Sequence, residues 1–211
     1  MSRIPTPLKV LYTAFVAVLV PYYWIQYTPW NFLYFCDVAL LLTLVGLWRE
    51  DRLLISLAAV GILVPQALWV VDFLARAVAG VHVTGMTAYM FNPSIPWFVR
   101  ALSSFHGWLP FLLIWLVNRI GYDRRAVPLQ PLIAVGLLLF CYFVGPIGPA
   151  PAAFPNHAVN INYVFGMDDA RPQTIMAPGL WLAMLMAINV MMFHLPTHAL
   201  LTRLARVRVV K

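Results

Sequence analysis

"LLISLAAVGILVPQALWVVDFLA", residues 53–75, is a stretch of 23 residues that carries one acidic side chain and no basic one. As an α-helix it would rise ~35 Å at 1.5 Å per residue, enough to cross the ~30 Å hydrocarbon core of a bilayer. Similar runs recur along the 211-residue chain, which is 63% hydrophobic and only 10% charged. A soluble domain carries about 25% charged residues. The sequence therefore predicts an all-α, polytopic transmembrane helical bundle that forms one domain over residues 1–211.

Six apolar runs are predicted to span the membrane, near residues 8–27, 31–48, 53–75, 97–118, 129–148 and 178–202. Only the sequence YTPW lies at the junction of the first two runs, which predicts a tight helical hairpin. Two connections on the outer side are long, at 76–96 and 149–177. The second is longer than a structureless loop usually is, so it forms either a cap over a site or a flexible loop.

The basic residues lie between the apolar runs and predict the orientation of the chain. By the positive-inside rule, the side richer in Lys and Arg faces the cytoplasm. Three basic residues lie on the other side, namely Arg76, Arg100 and Arg171. Eleven lie on the side of the N-terminus: Arg3, Lys9, Arg49, Arg52, Arg119, Arg124, Arg125, Arg203, Arg206, Arg208 and Lys211. The count predicts an even number of spans in a bacterial inner (plasma) membrane, with both termini cytoplasmic.

The formal net charge of +7 does not predict a nucleic-acid partner, because the basic residues do not cluster with aromatic residues on one segment.

Two cysteines, Cys36 and Cys141, lie in apolar runs and form neither a metal motif nor a disulfide framework. His194 and His198 are four residues apart, but no acid is predicted at their depth. His106 has no histidine partner for a haem. No metal, haem or other cofactor is expected.

Polar side chains inside the predicted spans indicate where a site could lie. Ionisable groups are costly in a bilayer and turn into the bundle by default. At ~1.5 Å per residue, five such residues from four helices share the outer half of the membrane. A buried network that only fixes helix packing is the alternative reading. The five residues are Asp37, Gln66, Asp72, His106 and Asn189.

A proline follows His106 by four residues and sharpens that prediction. Pro110 cannot donate a hydrogen bond to the carbonyl of His106, so a kink with open space is expected beside the imidazole. Histidine can move a proton near neutral pH, and a nearby carboxylate would hold its ring in one tautomer. Asp37 is expected on a different helix face from its neighbour Cys36.

Two short motifs resemble those of the YwaF-like intramembrane proteins and their animal acyltransferase relatives. One lies in NFLYFCDVALLL (31–42), the other in FHGWLPFLL (105–113). The resemblance implies a cysteine–histidine pair that acts on lipid acyl groups. Where the family commonly has a histidine two residues before the cysteine, this chain has Tyr34. The matching positions are Leu33, Cys36, Ala39 and Leu40, then His106 and Pro110.

A more distant similarity is to the androgen-induced lipid hydrolases, which use a threonine and a histidine. Thr43 would be the corresponding threonine, although it is expected deeper in the membrane than His106.

Together these features favour a lipid-directed intramembrane hydrolase or acyltransferase with an outward-facing polar site. His106 would act as the base, with Cys36 or an activated water as the nucleophile. Asp37 or Asp72 would be the orienting acid. The residues assigned to substrate binding are Asn31, Gln66, Trp69 and Asn189.

Two other functions stay open at this point. One is a module that binds or transports a small solute, and the other is a structural subunit of a membrane complex. Membrane lipids are the expected partners, and the sequence also leaves open a homo-oligomer.

Overall fold

The computed structural model describes residues 3–169 and 171–207, and side chains only as far as residue 204. The described residues are helical, with no strand among them, which confirms the predicted all-α fold. The helices are α1 (Thr6–Tyr27), α2 (Phe35–Arg49), α3 (Arg52–Ala79), α4 (Trp97–Ser103), α5 (Phe105–Ile120), α6 (Ala126–Val144), α7 (Pro178–Ile188) and α8 (Leu195–Val207). A 3₁₀ turn, Pro29–Leu33, precedes α2, and a π-helical segment, Asn189–His194, joins α7 to α8.

Five helical segments are long and apolar enough to cross a membrane: Thr6–Tyr27, Arg52–Ala79, Trp97–Ile120, Ala126–Val144 and Pro178–Leu204. They correspond to five of the six predicted spans. The remaining prediction, 31–48, becomes the 3₁₀ turn followed by α2, which has only 15 residues. A helix of that length rises ~22 Å, less than the ~30 Å hydrocarbon core.

The third helix is the centre of the bundle. It packs against α2, α5, α6 and the π-helical segment. Small residues such as Ala58, Ala59 and Gly61 line its buried part and let neighbours approach closely. A Cβ atom added at Gly61 would lie 2.6 Å from Nε2 of Gln130 on α6. This helix is therefore the element against which the others are placed.

At one end of the bundle, polar contacts join the termini of several helices. Lys9 near the start of α1 forms an ion pair of 2.7 Å with Glu50, just after α2. Nε of Arg119, near the end of α5, donates to the carbonyl of Arg3. The hydroxyl of Ser56 in α3 accepts from the backbone N–H of Asp123. These contacts lie on the side predicted to be rich in Lys and Arg; Arg208 and Lys211 fall outside the described residues.

Large apolar side chains cover much of the outside of the helices. Ile25, Phe111 and Phe143 are 75%, 66% and 75% exposed. A soluble protein would bury most such side chains. This surface suits contact with lipid chains.

At the other end, the connection between α6 and α7 folds onto the bundle. Residues 157–166, here called the outer plug because they lie at the end predicted to face outward, include a run of buried residues from Ala158 to Asn162. The plug contains a short 3₁₀ turn, Ile161–Tyr163, and its Ala158 N–H donates to the carbonyl of Tyr27. Of the two forms expected for this connection, this part is a folded cap.

Candidate intramembrane site

The N-terminal end of α2 carries a buried acid and a thiol in contact. Asp37, which is 3% exposed, lies in the first turn of the helix, where the helix dipole favours a negative charge. Its Oδ2 accepts a hydrogen bond from Nδ2 of Asn31 (3.2 Å) and one from Sγ of Cys36 (3.7 Å). Asp37 and Cys36 are predicted on different helix faces, but their side chains as sequence neighbours are in contact.

The second oxygen of Asp37 has a different environment. Among the described residues no protein group makes a hydrogen bond to Oδ1, although this atom is buried. A buried polar atom without a partner costs free energy, on the order of 1–3 kcal/mol. Such an atom is a candidate for contact with a ligand or for accepting a proton.

His106 lies just after a break between α4 and α5. The break falls at Ser104, two residues before the kink predicted at His106, and the helix continues through Pro110. Nδ1 of His106 is 2.8 Å from the carbonyl oxygen of Ser103. Because a carbonyl can only accept, Nδ1 carries the proton and Nε2 of the neutral ring keeps its lone pair. Nε2 is thus the atom that could act as a base.

Aromatic side chains surround the imidazole. The ring of His106 stacks on Trp69 of α3 with 5.5 Å between centroids and 20° between planes. Trp69 is buried, and within the described chain its indole N–H has no hydrogen-bond partner. Trp69 thus covers one face of the His106 ring.

Two tyrosine hydroxyls lie beside Ser103, the residue whose carbonyl binds His106. The hydroxyls of Tyr23 and Ser103 share a hydrogen bond of 3.0 Å, and Tyr23 is 5% exposed. The hydroxyl of Tyr89, in the loop after α3, approaches the side chains of Trp69 and Ser103. Burial raises the pKa of Tyr89, and the contacts with Trp69 and Ser103 offset part of that rise. No hydrogen bond joins Cys36 to His106 directly in the part of the chain described here.

Asp72, the other acid in the predicted site, is occupied by its own loop. Oδ1 accepts from the backbone N–H groups of Val83 (2.6 Å), Thr84 (2.7 Å) and Gly85 (3.1 Å). Oδ2 accepts from the backbone and the hydroxyl of Thr87 and contacts Nδ1 of His82. This carboxylate therefore organises the loop from 82 to 87.

Gln66 and Asn189 lie on neighbouring packed elements and have different surroundings. Gln66 of α3 is 3% exposed, and within residues 3–169 and 171–207 neither of its amide atoms has a hydrogen-bond partner. Asn189, at the start of the π-helical segment, donates to the carbonyl of Leu185 in its own helix (2.9 Å). Irregular turns of this kind are frequent at functional sites.

No group of three potential metal ligands occurs among the described His, Cys, Asp and Glu residues. His198 pairs with the hydroxyl of Tyr122 at 2.9 Å, whereas His194 is buried. A crevice of about 180 Å³ lies elsewhere, beside the plug; Phe165 and Trp181 are among its lining residues.

Several residues at this end of the bundle are missing from the sequence-based set, Tyr89 among them. Tyr23 belongs to an aromatic cluster typical of the membrane interface, which conceals its buried hydroxyl. Asn160 and Asn162 form the motif Asn-Ile-Asn, and both have left-handed backbone conformations. Two closely spaced asparagines in a long loop are the signal that could have indicated a structured turn.

Comparison of the chain with protein-family models, with curated proteins and with solved structures gave no match.

Proposed function

We propose that this protein is a lipid-directed acyltransferase or hydrolase of the bacterial inner membrane, with its site in the outer half of the bilayer. The observation that carries the proposal is the contact between the Cys36 thiol and the buried Asp37 carboxylate, whose other oxygen has no protein partner. Thiolates attack ester carbonyls, and a neighbouring base must take the thiol proton.

The reaction has two steps in this proposal. In the first, Sγ of Cys36 attacks the ester carbonyl, Asp37 accepts the thiol proton and passes it to the leaving alcohol, and an acyl thioester forms on Cys36. In the second, Nε2 of His106 takes a proton from water or from an acceptor alcohol, whose oxygen attacks the thioester. The cysteine leaves as a thiolate and recovers that proton.

Other polar groups of the cluster have supporting roles. Asn31 holds Oδ2 of Asp37, and Trp69 orients the ring of His106 by stacking on it. The N–H of Trp69 and the amide of Gln66 are suited to bind the carbonyl oxygen of the substrate. Asp72 has no part in this scheme, because the loop occupies its carboxylate. Asn189 keeps its predicted role in binding substrate.

In this proposal α2 is a sixth, short membrane segment. Its far end is held to the start of α1 through Lys9 and Glu50, and its near end lies beside the 3₁₀ turn that follows α1. The two helices therefore run side by side in opposite directions. Six segments would place both termini in the cytoplasm.

Turnover of ester lipids tests the proposal. The full-length protein in lipid nanodiscs would be given phosphatidylethanolamine and phosphatidylglycerol with a fluorescent acyl chain. We expect His106→Ala and Cys36→Ala to lower kcat by about 100-fold or more, the usual scale for a general base or nucleophile. Cys141→Ala removes the other free thiol and should retain turnover. Full turnover by His106→Ala, with folding checked by size-exclusion chromatography, would contradict the proposal.

A small-solute module is the second candidate, and it has one specific observation in its favour. Oε1 of Gln130 and Nδ1 of His194 are buried in the inner half without a hydrogen-bond partner among the described residues. Together with the amide atoms of Gln66, these two atoms form a set of buried polar groups without hydrogen-bond partners that continues past the outer site. Such a module would show no lipid turnover in the wild-type protein, so the same assay separates the two functions.

A further inference from the structure

The outer plug contacts the chain immediately before Cys36. Nδ2 of Asn162 donates to the carbonyl of Leu33 (2.8 Å), and its Oδ1 accepts from the backbone N–H of Phe35 (3.1 Å). Leu33 ends the 3₁₀ turn and Phe35 begins α2, so one amide side chain bridges the break between them. The first N–H groups of a helix lack intrahelical partners, and Asn162 supplies one.

The plug holds Asn162 firmly. Its backbone has φ 58° and ψ 23°, a left-handed conformation that asparagine tolerates better than most residues. On one side of it, Nε1 of Trp181 donates to the carbonyl of Tyr163 (2.9 Å). On the other, the hydroxyl of Tyr34 donates to the carbonyl of Val159 (3.3 Å). Asn162 is thus fixed between α7 and the start of α2.

Asn160 has a separate role in the same turn. It shares the left-handed backbone, with φ 48°. Its side chain accepts from the N–H of Phe165 and donates to the carbonyls of Gly166 and Asp168. These hydrogen bonds stay within residues 160–168 and do not reach the Pro29–Leu33 turn or α2. Asn160 is therefore a stringent control for the loss of Asn162.

We propose that Asn162 is a positioning residue for the Cys36–Asp37 pair. By holding Leu33 and Phe35, it sets the direction in which the first turn of α2 presents the thiol and the carboxylate. The outer plug thereby becomes part of the catalytic framework, although it contributes no reacting atom. This inference rests on the proposed function, because the alignment of the pair matters only if Cys36 reacts.

Turnover by paired glycine variants tests the positioning role. Glycine retains the left-handed backbone, so Asn162→Gly and Asn160→Gly each remove only side-chain hydrogen bonds. We expect Asn162→Gly to lower kcat by about tenfold to 100-fold with an almost unchanged KM, the scale of a misplacement of ~1 Å. Asn162→Asp keeps an acceptor for Phe35 and should recover part of kcat. Asn160→Gly should change kcat by less than about threefold, although it also removes three side-chain hydrogen bonds.

Alkylation of Cys36 provides a readout that needs no turnover. A membrane-permeant maleimide would be applied to each variant, and the rate at Cys36 would be followed by peptide mass spectrometry. We expect Asn162→Gly to change this rate by about fivefold or more, and Asn160→Gly to leave it almost unchanged, because thiol reactivity follows local environment. Equal rates in both variants would overturn the positioning role. If Cys36→Ala retains turnover while only Asn162→Gly alters alkylation, the proposed function fails and the positioning role stands.

Discussion

Two buried acids of the predicted site, Asp37 and Asp72, show how differently the same side chain can be used. Asp72 accepts hydrogen bonds from four backbone N–H groups and a hydroxyl, so its charge is balanced within its own loop. Asp37 has an amide and a thiol on one oxygen and no protein partner on the other. A saturated carboxylate stabilises structure, whereas an incompletely paired one can take part in chemistry. This contrast separates the structural acid from the candidate catalytic one.

At the same scale, a methyl group added to Gly46 of α2 tests how closely α2 packs against α3. A Cβ atom at Gly46 would lie 2.7 Å from Cδ1 of Ile55 and 3.3 Å from Cβ of Leu54, whereas nothing lies within 4 Å of one at Gly136. Both substitutions to alanine gain the same helix propensity, about 1 kcal/mol. We expect Gly46→Ala to lower the free energy of unfolding by about 1–3 kcal/mol relative to Gly136→Ala because of overpacking.

Unfolding in mixed micelles with increasing SDS would measure both alanine variants. Equal stability of the two proteins would show that α2 and α3 do not pack as closely as the structure has them.

At the scale of elements, the long helices could be predicted because each is an apolar run of membrane length. The predicted ends lie within four residues of the observed ones, as in 129–148 against Ala126–Val144. The start of α2 could not be predicted from its own sequence. At that start, the N–H of Phe35 donates to Asn162, which is 127 residues away. The break at Ser104 was also missed, because local sequence points to Pro110.

The candidate site could be predicted only in part, for related reasons. Depth along each helix placed Cys36, Asp37 and His106 in one layer, and the structure adds the contacts that depth cannot show. Asn31 reaches Asp37 because the 3₁₀ turn brings it back over the start of α2. Tyr89 reaches the cluster because Asp72 folds the loop that carries it. The positions of Asn31 and Tyr89 both depend on loop conformation, which hydrophobic periodicity does not encode.

At the scale of the whole molecule, the two ends of the bundle should face different compartments. Arg124 is exposed between α5 and α6, and Ser94 is exposed between α3 and α4. In a variant with Cys36 and Cys141 replaced by alanine, we expect Ser94→Cys to react with a membrane-impermeant maleimide on intact cells. Arg124→Cys should react only after the membrane is permeabilised. The reverse pattern would contradict cytoplasmic termini.

Trapping of an acyl group on Cys36 tests the proposed chemistry most directly. The full-length protein in nanodiscs would be mixed with a long-chain p-nitrophenyl ester, quenched with acid and analysed by peptide mass spectrometry. We expect the acyl mass on the peptide that contains Cys36, its release by hydroxylamine as for a thioester, and its accumulation in His106→Ala, where the second step is slow. Acylation of Cys141 instead, or an unchanged acyl signal in Cys36→Ala, would contradict a nucleophilic role for Cys36.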